Sequence, residues 1–98
     1  IDNLSQMVLK KVTIPNKTGL HARPATALVQ LAGTFESDFY IHSHGYRING
    51  KSILGVMTLA AEQGAELELE LEGPDEEEAA RAIAKLIESG FKETNKDE

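Results

Sequence analysis

The apolar positions of this chain change period several times, and each change marks an element. In "VLKKVTI" Val8, Val12 and Ile14 fall on one side of a roughly alternating, β-branched run that Pro15 stops. That pattern predicts a strand over residues 8–14. "NKTG", Asn16 to Gly19, is loop chemistry. From Ala22 the period becomes helical: Ala25, Leu28, Val29, Ala32 and Phe35 share one side, predicting an amphipathic helix from Ala22 to about Gly33. "DFYIHSHGYRI" alternates again, with Phe39 and Ile41 on one face and Tyr40, His42 and His44 on the other. It predicts a hairpin turning near His44–Gly45, where glycine can take a positive φ.

Asn49–Gly50 is a turn signal, and Ser52 suits the N-cap of a short helix over Ile53 to Met57. Gly64 ends that region. "ELELELE", Glu66 to Glu72, alternates strictly, so Leu67, Leu69 and Leu71 are expected in the core and all four glutamates in water. In "GPDEEEAARAIAKLIESG" acids fill the first helical turn, where the macrodipole favours them, and Asp75 and Glu78 stand at capping-box spacing. Ala79, Ile83, Leu86 and Ile87 make the buried stripe, with Gly90 as the expected C′ residue. The predicted order is β-α-β-β-α-β-α. Alternating strands of this kind imply an α+β fold, an open-faced β-sandwich. Its four-stranded antiparallel sheet has one wet face and one face covered by helices.

Totals narrow the function. The 98 residues suffice for one domain. No apolar run approaches the roughly 20 residues needed to span a bilayer, and no signal-peptide pattern opens the chain, so no membrane insertion and a cytoplasmic location are expected. The absence of cysteine excludes disulfides, thiol catalysis and thiolate zinc sites. A net charge of −6 argues against nucleic acid as a partner, which needs a basic face. Met7 stands directly before the first strand and reads as a natural start. Residues 1–6 are then a disordered or appended extension, residues 7–91 the domain, and "KETNKDE", 92–98, a solvated tail.

The densest chemistry lies in "GLHARPA", residues 19–25. His21 precedes the first helical residue, so it falls at the N-cap. The first backbone N–H groups of a helix have no internal partners and lie at its positive end, which makes an anion site. A phosphoryl group on the imidazole would meet the N–H groups of Ala22 and Arg23, and the Arg23 guanidinium suits phosphate oxygens. Pro24, third in the helix, loses no helical hydrogen bond there. Local physics leaves open whether His21 is an ordinary surface residue, and it names no partner.

Other candidates have plainer readings beside them. Ser52 is explained by capping alone. Leu20, Ile53, Leu54 and Met57 are candidates for an exposed apolar patch, though spacing also allows some of them in the core. His42 and His44 stand two apart on a strand, but without a third ligand they are expected to be solvent-exposed, and no metal site is expected.

Two separated stretches, "GLHARPA" and "NGKSILGVMTL" (49–59), resemble the phosphorylation-site and regulatory-serine motifs of the HPr family. These are the histidine-containing phosphocarriers of the bacterial phosphoenolpyruvate-dependent phosphotransferase system. The resemblance runs from about Met7 to Phe91, and the family's element order is the one read above. It implies that His21 accepts a phosphoryl group on Nδ1 from phosphorylated enzyme I and passes it to IIA domains of sugar transporters. Arg23 and the N–H groups of Ala22 and Arg23 would hold the phosphate without a cofactor. The chain would be a carrier, not an enzyme, and a monomer. Ser52 would be phosphorylated from ATP by HPr kinase/phosphorylase, placing charge beside a docking face. That face would comprise Leu20, Ile53, Leu54 and Met57, with Thr26 and Arg23 at its edge. One departure is Ala60, where many relatives carry glycine. Two alternatives remain: a phosphocarrier of the nitrogen-regulatory branch, and a non-phosphorylated interaction domain of the same fold, indifferent to loss of His21.

Overall fold

Among the described residues, seven elements follow in the predicted order: β1 (Val8–Thr13), α1 (Ala22–Gly33), β2 (Asp38–Ser43), β3 (Tyr46–Asn49), α2 (Ile53–Met57), β4 (Glu66–Glu72) and α3 (Glu76–Glu88). The computed structural model describes residues 7–92, so the extension and all but the first residue of the tail lie outside the described residues. The strands form one antiparallel sheet in the order β1-β4-β2-β3.

Register follows from the apolar alternation. Val12 pairs with Leu67, Ile41 with Leu69, and Phe39 with Leu71. All six side chains are buried on the face beneath α1 and α3. A slip of one residue would turn the three leucines of β4 to solvent. At about 1.5–3 kcal/mol for each large apolar side chain buried, that slip is strongly opposed. From above, α1 contributes Ala25, Leu28 and Ala32, and α3 contributes Ala79, Ile83, Leu86 and Ile87.

Three details depart from the patterns. Ladder pairing of β1 ends at Thr13, but Ile14 stays fully buried because its N–H and C=O bond to Ala65 and Gly64. His44 is not on the strand face beside His42. It forms the turn with Gly45, both at positive φ (51° and 83°), the conformation of a two-residue type I′ hairpin loop. Glu70 is not in water: only 7% of it is exposed. It lies in β4, inside the sheet between β1 and β2, and residues of β2 and β3 cover it.

The α3 start also differs. Asp75 occupies the N-cap position but makes no capping bond. Its carboxylate instead accepts from the N–H groups of Glu36 and Ser37 and from the Ser37 hydroxyl, tying the α1–β2 loop to α3. Those donors hold its pKa below the usual range, the Ser37 hydroxyl foremost. Gly73 makes this approach possible, since a Cβ there would come within 2.6 Å of Ser37 Cα. The α3 end matches expectation: Gly90 at C′ has φ 74°, and the N–H groups of Gly90 and Phe91 bond to the carbonyls of Ile87 and Leu86.

Candidate functional site

The loop between β1 and α1 is held by the segment that follows α2. Gln63 Nε2 donates to the Pro15 carbonyl at 3.0 Å, and the Leu20 N–H donates to the Ala61 carbonyl at 2.9 Å. Gly19 lies against that same carbonyl at φ 70°, and a Cβ on it would collide with the Ala61 oxygen. Leu20 therefore points inward. It is 4% exposed and belongs to the core, which corrects its assignment to an exposed docking patch. Its burial anchors the chain one residue before His21 emerges at the surface.

His21 is the N-cap of α1, extended at φ −101°, ψ −163°, and exposed. Its carbonyl accepts the first helical bond, from Ala25 N–H at 2.9 Å, while its side chain makes no capping bond. The N–H groups of Ala22 and Arg23 come ahead of the helix's own bonding ladder. The imidazole Nε2 lies 2.9 Å from Thr18 Oγ1, and Nδ1 has no partner among the described residues. Thr18 and Asn16 are contacts that pattern reading missed. The available signal was a hydroxyl three residues before the histidine, in a loop of turn-forming residues. Thr26 is half-buried one turn into α1 and donates to the Ala22 carbonyl at 2.9 Å. An exposed ring nitrogen over a helix start, with an exposed arginine two residues on, can take up a phosphoryl group and hold its charge.

The second cluster is on α2, which packs against α1. Ser52 caps it, its Oγ accepting from Gly55 N–H at 3.0 Å. Gly55 lets the helix lie close on β3, because a Cβ would come within 3.0 Å of Ile48 Cγ2. Val56 is buried, whereas Ile53, Leu54 and Met57 are exposed at 38%, 78% and 43%. These three form an apolar surface of the kind used in transient docking. Just past α2, Ala60 adopts φ 50°, a conformation that favours glycine.

A third cluster occupies the open face of the sheet. His42 Nε2 lies 2.6 Å from Glu70 Oε1, Arg47 donates to both oxygens of Glu70, and its guanidinium stacks 3.7 Å over the Tyr40 ring. Arg47 above all, then His42, hold the Glu70 carboxyl down to about 2, and the same pairing raises the Arg47 pKa. His42 is thus engaged in a polar network and not simply solvated. Among the described residues no group of three or more histidines and acids could hold a metal, and no helix is long and apolar enough to cross a membrane.

Comparison with known proteins agrees with this geometry. A family model described as "PTS HPr component phosphorylation site" matches residues 8–89. The chain is 48% identical over 87 residues to phosphocarrier protein HPr of Treponema pallidum, covering 89% of this chain and 99% of that one. It is 44% identical over 82 residues to the HPr-like protein Crh of Bacillus subtilis, covering 84% of this chain and 96% of that one. The crystal structure of HPr-C-His from Thermoanaerobacter tengcongensis superposes with a TM-score of 0.83 at 46% identity, covering 86% and 94% of the two chains.

Proposed function

Because this chain belongs to the HPr family, the phosphocarriers of the phosphotransferase system, we propose that His21 carries the phosphoryl group, on Nδ1. The protein is a phosphocarrier and not an enzyme. In this reading phosphorylated enzyme I is the donor, IIA domains of sugar transporters are the acceptors, and the carrier works as a cytoplasmic monomer. The observation that carries it is the exposed imidazole at the N-cap of α1, whose Nδ1 has no partner among the described residues.

The Nδ1 lone pair attacks phosphorus in line with the donor's P–N bond, which breaks and leaves its electron pair on the donor. The incoming oxygens sit at the start of α1, where the N–H groups of Ala22 and Arg23 and the Arg23 guanidinium stabilise them. Most of the rate comes from aligning two proteins, so the docking face matters as much as the histidine. Ile53, Leu54 and Met57 form that face, with Thr26 at its margin.

Ser52 is the proposed regulatory site, phosphorylated from ATP by HPr kinase/phosphorylase. Its phosphate would take over the bond to Gly55 N–H and leave α2 folded. It would add negative charge beside the apolar face and repel a partner with acidic groups there.

Incubation with phosphoenolpyruvate and a catalytic amount of enzyme I should add one acid-labile phosphoryl group, seen by intact mass. His21→Ala should abolish it. An adduct retained in that variant would overturn the assignment.

A further inference from the structure

We propose that Thr18 and Asn16 form a relay that holds the His21 ring with its proton on Nε2, so that Nδ1 presents its lone pair to the phosphoryl donor. The inference rests on His21 being the acceptor and assigns two positioning residues to it.

Thr18 Oγ1 lies 2.9 Å from His21 Nε2. Asn16 Nδ2 donates to the same hydroxyl oxygen at 3.3 Å and to the Gly19 carbonyl at 2.8 Å. A carboxamide N–H can only donate, so the Thr18 oxygen accepts from Asn16; with its own O–H turned to solvent at this exposed position, it keeps a second lone pair to accept from Nε2–H. A neutral imidazole carries one N–H; a proton bound by Thr18 at Nε2 leaves Nδ1 bare. Asn16 Oδ1 is buried and has no hydrogen-bond partner among the described residues. A buried orphan acceptor is costly, so the carboxamide is oriented by what its nitrogen holds. That nitrogen braces both the hydroxyl touching the ring and the backbone of Gly19, two residues before it.

The relay also suits the loaded ring. When Nδ1 bonds to phosphorus and the donor's bond breaks, Nε2 keeps its proton and no proton moves in the step. The ring then bears formal positive charge, shared with Nε2–H, and Thr18 Oγ1 receives a stronger hydrogen bond. Return of the electron pair to Nδ1 on transfer restores the starting arrangement.

The test uses Thr18→Val, which keeps the shape and removes the hydroxyl, and Thr18→Ser, which keeps the hydroxyl. Nitrogen-15 NMR of the unphosphorylated protein reads the tautomer of His21 independently of any transfer. Wild type and Thr18→Ser should be mainly Nε2–H. Thr18→Val should shift the ratio toward Nδ1–H by about fivefold, the worth of one net hydrogen bond, and slow phosphorylation by enzyme I by a similar factor. Asn16→Ala should move the ratio the same way by less. Thr18 is exposed, so the unfolding midpoint of Thr18→Val should not change. An unchanged tautomer ratio in Thr18→Val would overturn the relay. A shifted ratio in a protein that takes up no phosphoryl group would instead overturn the acceptor reading of His21.

Discussion

Arg47 grips the buried Glu70 carboxylate at two points, Nη2 to Oε2 at 3.0 Å and Nε to Oε1 at 3.1 Å. The pair joins edge strand β3 to β4 across β2 and closes the open face of the sheet over a charge. Glu70 is ionised far below its ordinary value of 4.5, down to about 2. A depressed carboxylate stabilises the fold above the unfolded pKa, and this is lost as pH falls through the folded one. Arg47 is half exposed, so solvent screens the pair and its contribution to stability is modest. Urea unfolding should therefore show Glu70→Gln weaker than wild type at neutral pH, with the two converging as pH falls from 4.5 toward 2. A constant difference across that range would contradict this.

Gly19 should not tolerate a side chain. Its φ of 70° and the Ala61 carbonyl beneath it act together. Gly19→Ala should cost about 2–4 kcal/mol, from left-handed backbone strain and overpacking. It should also displace His21 and slow its phosphorylation. Thermal unfolding and a phosphorylation time course measure both effects.

Ala60 offers the opposite change. At φ 50° its Cβ is strained, and glycine relieves that strain at some entropic cost. Ala60→Gly should stabilise the protein by about 0.5–1 kcal/mol while leaving phosphorylation intact. Chemical denaturation provides the check, and destabilisation would show that the strain is compensated locally.

Leu54 separates docking from folding. It is 78% exposed, so Leu54→Glu should change stability by no more than about 0.5 kcal/mol. The KM of enzyme I for the carrier should nevertheless rise about tenfold, equivalent to 1.4 kcal/mol of lost docking energy. Unchanged kinetics would remove Leu54 from the face.

The parts legible in the sequence were those with a strong period or a local cap. Leu67, Leu69 and Leu71 announce β4, Ser52 announces α2, and Gly90 announces the end of α3. What escaped depended on residues distant in the chain. Glu70 looks like its neighbours in "ELELELE", and only Arg47 and His42 on other strands distinguish it. Asp75 looks like a cap until Ser37, 38 residues earlier, claims its carboxylate. Leu20 looks like a surface residue beside an exposed histidine until the Ala61 carbonyl turns its backbone inward. The place of His21 at the N-cap was legible because it depends only on where the helical period begins. The Thr18 contact was not, since a loop threonine carries no period.

The proposed carrier role requires that His21 both gain and give up a phosphoryl group. Its most direct test is an intact-mass time course, with phosphoenolpyruvate and enzyme I first, then a IIA domain added after the phosphoenolpyruvate is exhausted. One acid-labile phosphoryl adduct should appear, then leave as the IIA domain gains it, with neither event in His21→Ala. An adduct that stays on the carrier, or one that forms without His21, would contradict it.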